Sequence, residues 1–247
     1  MGLNLHQDLI IKNYKLWKRK PLLHEIYIGF HELMAQHLSK LPDGKIVELG
    51  SGMGNIHETI PGCIRTELFP FPWIDQMENG YKLTFENNSV SDLLMVDVFH
   101  HLRYPGTALR EFNRVLKPGG RLIMMEPGIS LLGNLVYGPF HPEPIGTAGE
   151  IKWFAPEGWS PDALNYYSAQ GNASRIFVQN HFSEQLNDWN TVGVKRLTAI
   201  SYAASGGYSR PQLYPTFAYS FMKLIDKLLS PFPAIFTTRL LVVLENK

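Results

Sequence analysis

The chain has 247 residues, 23 basic against 22 acidic, and a net charge of +1. Charges this closely balanced give no electrostatic footprint for a nucleic-acid backbone. Hydrophobic residues make up 45%, enough for one large α/β domain or two small ones, and the lone Cys63 excludes a disulfide framework and a cysteine-based zinc site.

The opening "MGLNLHQDLIIKNYKLWKRK" lacks the pattern of a secretory leader. No run of about 20 apolar residues follows that could span a membrane, so a cytoplasmic location without stable membrane insertion is expected. The basic "KLWKRK" reads as the solvated start of a helix; weak attraction to an anionic membrane or a phosphorylated acceptor is the other reading. Leu23, Ile26, Tyr27, Phe30, Leu33, Met34 and Leu38 recur at helical spacing, with Pro21 suited to the first turn. After the turn "LPDGK", "KIVELG" reads as a buried strand running into a glycine loop. "NIHETI" is at most a short helix, stopped by Pro61, and "CIRTEL" is a second strand, with Cys63 as a small core residue. "SDLLMVDVF" is a further apolar strand. "TALREFNRVL" places Leu109, Phe112, Val115 and Leu116 on one helical face and stops at "KPGG" before the strand "RLIMMEP". Strands alternating with helices predict a parallel sheet covered on both faces.

Past Pro127 the periodicity fades to about Gln179, and proline, glycine and aromatics become dense. A segment this long is the mark of a lid or a substrate-binding insertion. Its aromatics, among them Trp153, Phe154, Trp159, Tyr166, Tyr167 and Phe177, are mostly its own core, with a few free to stack on an acceptor. "GVKRLTAISYA" then reads as a strand, and "ASGGYSR" with Tyr208 as a bulge and turn or an acceptor-pocket wall. Phe217, Phe221, Leu224, Ile225 and Leu228 form one helical face, and "RLLVVLE" is a final strand.

The glycine loop "GSGMG" is neither GxGxxG nor a phosphate loop ending in GK. Glycines at a strand-to-helix turn still require a sharp bend and a ligand close to the backbone. A diphosphate would favour a long helix behind the loop, and Pro61 forbids one. Glu48 would repel phosphate and suits an ammonium or sulfonium. Glu67, at the tip of the second strand, can accept from two ribose hydroxyls. A ligand that is adenosine-like, cationic and free of phosphate is S-adenosylmethionine.

These motifs carry a resemblance. "VELGSGMG", "KLTFENNSVSDLLMVDVFHHL" and "ALREFNRVLKPGGRLIMMEP" stand in the order found in the class I, type 11 group of S-adenosylmethionine-dependent methyltransferases, which residues 45–126 resemble. The resemblance implies an α/β, Rossmann-like, doubly wound sheet of seven strands, mostly parallel, with the last antiparallel. It implies that Gly50, Ser51, Gly52 and Gly54 line the methionine part of the cofactor, that Glu48 supports the loop or the amino group, and that Glu67 holds the ribose. Asn79 stands where the group often carries an adenine-contacting Asp, and Thr84 replaces its usual proline. Val96 and Asp97 face the sulfonium.

A single domain over 1–247 is expected, with a helical N-terminal cap (1–40), a cofactor-binding half (41–127), an insertion after the fifth strand (128–190) and C-terminal strands and helix (191–247). The expected activity is methyl transfer to a small-molecule acceptor, a hydroxyl of a sugar or lipid-linked saccharide or another small metabolite. Only a hydroxyl acceptor needs a base. The candidates are His101, His100, His141 and Glu143, the last two able to point the same way from an extended backbone. They can equally pin the loop by hydrogen bonds. No metal is expected, since that pair supplies too few ligands. A dinucleotide-dependent oxidoreductase and a catalytically idle cofactor-binding module are the alternatives.

Overall fold

The computed structural model describes residues 3–139, 141, 143–163, 166–179 and 181–247, with side chains from residue 7 onward. Two helices come first, α1 (Leu3–Trp17) and α2 (Pro21–Ala35). "KLWKRK" therefore ends a helix and forms the turn to the next, rather than starting one. Pro21 supplies the break: it cannot continue α1 but fits the first turn of α2. Leu22, Leu23, Ile26 and Met34 of α2 are buried.

The sheet holds β1 (Lys45–Leu49), β2 (Ile64–Glu67), β3 (Gln76–Met77), β4 (Val90–Val96), β5 (Leu116–Pro127), β6 (Trp189–Thr198) and β7 (Thr237–Asn246). Their order is β3-β2-β1-β4-β5-β7-β6. Pairings from β3 to β5 are parallel, and β7 runs antiparallel to both β5 and β6. The central strands are apolar on both faces because each face is covered. Leu93 and Met95 of β4 join Phe112 and Val115 of α3 (Pro105–Val115) in one core; Leu94 joins Met34 of α2 in the other. This is the doubly wound α/β architecture expected from the sequence.

Three local details differ from the sequence reading. β5 starts at Leu116, so "KPGG" lies inside the strand as an irregularity against β4. "GVKRLTAISYA" is divided, β6 ending at Thr198 and α6 (Ile200–Ala204) following. The cause is Asp226, whose Oδ1 accepts from the amides of Ile200 and Ser201 and so caps a new helix. β3 is only two residues long, too short for an apolar run.

The segment after β5 contains α4 (Leu131–Tyr137) and α5 (Asn172–Phe177) joined by irregular chain. Past α6 come α7 (Tyr219–Leu229) and α8 (Pro233–Phe236), which leads into β7. No helix among the described residues is long and apolar enough to cross a membrane.

Candidate active site

The glycine loop leaves β1 in a left-handed conformation. Gly50 has φ +64°, and a Cβ there would stand 2.5 Å from Val98 Cγ2. Gly52 has φ +51°, and a Cβ there would meet nothing within 4 Å. The first glycine is thus needed for close packing, while the second leaves open space above the backbone. Behind the loop, Ser51 N donates to Thr66 O (2.8 Å) and Thr66 Oγ1 to Glu48 O (2.8 Å). Gly54 caps only a 3-10 turn, Asn55–Glu58, so no helix terminus faces the loop as a phosphate site would need.

Glu67 reaches back over the loop. Its Oε2 accepts from Gly52 N at 3.1 Å and its Oε1 from Leu68 N at 2.7 Å. On the other side Trp73 Nε1 donates to Gly52 O at 2.8 Å. Tyr14 of α1 stacks on Trp73 with ring centroids 4.0 Å apart. This clasp brings α1 over the loop and places Ile10 in the cavity wall.

The cavity measures about 190 Å³. Of the cofactor-binding and catalytic candidates named from sequence, Gly50, Gly52, Glu67, Asn79, Asp97 and His101 line it. Glu48, Ser51 and Gly54 lie behind the loop. Val96 ends β4 but leaves the wall to its neighbours Met95 and Val98. Asn79 is held by donating Nδ2–H to Pro161 O (2.9 Å) and accepting from Tyr81 N (3.0 Å). The described lining includes the carboxylates of Glu67, Glu78 and Asp97 and neither lysine nor arginine. A cationic, phosphate-free ligand fits that wall, and a pyrophosphate does not.

Glu48 is buried, and its Oε2 has no partner among the described residues. Burial pushes its pKa up to about 7, with Ser51 opposing and the Glu67 charge adding to the rise.

Two histidines follow β4 and take different environments. His100 is buried, its Nδ1 2.7 Å from Glu126 Oε2 and its Nε2 3.5 Å from Glu143 Oε2. Burial alone would lower its pKa, but Glu126 and then Glu143 overcome this and raise the ring to about 10. Glu126, the last acid of β5, also accepts from the amides of Val98, Phe99 and His100. Glu143 additionally accepts from Tyr166 OH (2.5 Å), Ser168 Oγ (2.9 Å) and the Gln170 amide. His101 instead lines the cavity, and its Nδ1 lies 2.8 Å from Tyr167 O. A carbonyl only accepts, so Nδ1 carries the proton, and in the neutral ring the lone pair sits on Nε2.

His141 and Glu143 do lie together, but through the backbone: Glu143 N donates to His141 Nδ1 at 3.3 Å, while the Glu143 carboxylate turns to His100. Burial lowers the His141 pKa. One ligand atom each from His100, His101 and Glu143 falls within 4.8 Å of the others. His100 and Glu143 spend theirs on each other and on Glu126, Tyr166, Ser168 and Gln170.

The sequence reading missed Arg239, the largest buried cation of the site region. It enters from β7 and donates Nη1–H to Asp97 Oδ1 at 2.6 Å. It also missed Ile10, Tyr14 and Trp73. Only the aromatic type of Tyr14 and Trp73 hinted at a role, and nothing in the sequence marked Ile10.

Residues 69–124 match the family model described as a methyltransferase domain. Over those residues the chain is similar to methyltransferase domains, and its sheet has the class I methyltransferase order and directions. S-adenosylmethionine, cationic and free of phosphate, suits a cavity whose described lining includes three carboxylates and neither lysine nor arginine. The fold is shared with a geranyl diphosphate methyltransferase crystallised with that cofactor, at TM-score 0.54 and 13% identity over 91% of this chain and 87% of that one. It is shared with a methyltransferase of Thermotoga maritima described as a possible histamine N-methyltransferase (TM-score 0.53, 15% identity, 96% and 99% covered). A putative methyltransferase in complex with the Trm112 activator of Haloferax volcanii is also similar (TM-score 0.51, 12% identity, 94% and 92% covered). Among curated proteins, the uncharacterized YafE of Escherichia coli is 47% identical over 49 residues. That match spans 19% of this chain and about a quarter (24%) of YafE.

Proposed function

We propose that the chain transfers the methyl group of S-adenosylmethionine to a hydroxyl of a small acceptor, with His101 as the general base. The observation that carries this reading is the position of His101. It lines the same cavity as Gly50, Gly52 and Glu67, and its Nδ1 is fixed by Tyr167 O.

The cofactor supplies an electrophilic methyl on a sulfonium. Gly52 leaves room for its methionine part, and Glu67, in the cavity wall, can accept from its ribose hydroxyls. Asn79 serves the adenine end, and Asp97, its charge balanced by Arg239, stands near the sulfonium. His101 Nε2 takes the acceptor proton as the oxygen attacks, which contributes about 10²–10⁴-fold when geometry is right. Most of the remaining acceleration comes from alignment and exclusion of water. His100, held as an imidazolium, has no lone pair to offer and acts as a positioning residue. Glu143 and Glu126 fix it.

A sugar or lipid-linked saccharide fits the aromatic insertion, where Tyr166 and Tyr167 line the cavity beside His101. The acceptors named for two proteins of similar fold differ, geranyl diphosphate for one and, as a possible acceptor, histamine for another, so the insertion is the segment to choose this chain's acceptor.

The test is calorimetric titration with S-adenosylmethionine, with NADH as control, on wild type and Glu67→Ala. Binding of the former alone, weakened about ten-fold or more by the substitution, supports the donor site. NADH binding instead would return the chain to the oxidoreductase alternative. Methyl transfer from labelled donor to a panel of hydroxylated acceptors then separates an active enzyme from an idle module. His101→Ala should remove turnover and leave donor affinity unchanged.

A further inference from the structure

We infer that the face formed by α4, α7 and α8 docks on an anionic lipid bilayer. Phe217, Phe221, Leu224 and Leu228 follow at helical spacing from the 3-10 turn Thr216–Ala218 through α7. The stripe faces outward: Phe217 is 89% exposed, Phe221 62% and Leu228 64%. Leu131 and Leu135 of α4, which packs against α8, are further exposed apolar residues, Leu131 at 70%. Scattered exposed apolar residues need no explanation, but a continuous stripe rimmed by polar groups marks an interaction surface.

The charges choose the occupant. Lys223 and Lys227 are exposed and border the stripe one helical turn apart. The only acid of α7, Asp226, points inward to Ile200 and Ser201. Glu25 and Glu32 of α2 act on Tyr214 and Tyr219, on the packed side of the segment. Lys20 donates to the carbonyls of Gly207 and Arg210, which ties the end of α1 to the loop that precedes α7. Phenylalanine and leucine on one face with lysine on its border is the pattern of a helix lying in a membrane interface. A two-fold contact with a second copy would set lysine against lysine with no outward acid on α7 to pair it.

Geometry gives the docking a purpose. α4 follows β5, α6 follows β6, and α8 precedes the antiparallel β7. All three stand at the end of the sheet that carries Asp97, Glu126 and Arg239, and α7 packs against α6 there. A docked molecule would hold that end toward the lipid. This inference does not depend on which group is methylated.

Flotation with vesicles tests it. The probes are phosphatidylcholine alone and phosphatidylcholine with about one third phosphatidylglycerol, at low and high salt. The proteins are wild type, Phe217→Ser/Phe221→Ser and Lys223→Glu/Lys227→Glu. Thermal melts and S-adenosylhomocysteine titration of each serve as the fold control. Wild type should float with the anionic vesicles, less at high salt, and each double variant should lose at least about ten-fold of that binding. Absence of flotation with either vesicle, or flotation untouched by the substitutions, would overturn the inference. So would a wild-type dimer that Phe217→Ser/Phe221→Ser dissociates, which would assign the face to a second copy.

Discussion

Arg239 and Asp97 are paired across the sheet with unequal burial: the arginine side chain is 1% exposed and the aspartate 27%. The guanidinium also lies against the rings of Phe30 and Tyr202, at 5.2 and 5.0 Å. Removing one partner of a buried pair is costly because the other charge is stranded. Asp97→Asn strands the fully buried cation, while its side chain tolerates the left-handed backbone there (φ 58°). Arg239→Met strands an aspartate that water can reach. Urea unfolding should show a loss of about 3–5 kcal/mol for Asp97→Asn and a clearly smaller loss for Arg239→Met. Equal losses would show that the unequal burial does not govern the pair.

His100 should make stability fall on the alkaline side. Its pKa is raised from the ordinary 6.5 to about 10. The folded state therefore binds more protons than the unfolded one between those values. The contribution is complete below about 6.5 and is lost as pH rises through about 10. His100→Gln should cost about 3 kcal/mol at pH 6.5, and its stability gap from wild type should close toward pH 10. A gap independent of pH would rule out the imidazolium.

Glu48 predicts the opposite outcome of substitution. Its folded pKa is raised to about 7, so charging it costs stability as pH climbs from the unfolded value of about 4.5 toward 7. Glu48→Gln removes that cost. Thermal melts should show the variant gaining on wild type over this window and no further change above it. A constant difference would contradict the burial assignment.

Gly50→Ala should weaken both folding and donor binding. The residue is left-handed, and its new Cβ would overlap Val98 at 2.5 Å. A loss of about 1–3 kcal/mol is expected by denaturation. Val98→Ala should recover the steric share and leave the backbone share, about 1 kcal/mol. Gly52→Ala, with open space at its Cβ, should keep the fold better and lose affinity for S-adenosylhomocysteine in calorimetry.

The parts of the fold written in local pattern were legible. "DLLMV", "RLIMM" and the last three residues of "KIVEL" are largely buried on both faces, so hydrophobic runs alone mark these strands. β3 was not legible because two residues carry no periodicity. The end of β6 was missed because Asp226, which caps α6, is far along the chain. In the site, the glycine loop and Glu67 were readable from spacing. The Glu126–His100–Glu143 series was not, since β5, the post-β4 turn and the insertion meet only in space. Periodicity also found the stripe on α7 without telling that solvent covers it, because an amphipathic pattern names two faces and not their neighbours.

The sheet order has a consequence for the making of the protein. β7 is later in the chain than every other strand, yet it lies between β5 and β6. Until residues 237–246 have emerged from the ribosome, β5 keeps an unpaired edge and β6 has no neighbour in the sheet. Asp97 is meanwhile without its cation. A nascent chain can assemble the half around β1 and β4, but the end of the sheet that carries Asp97 and Glu126 closes only with the arrival of Arg239. Long-range pairing of this kind folds slowly and leaves a sticky edge in the interval.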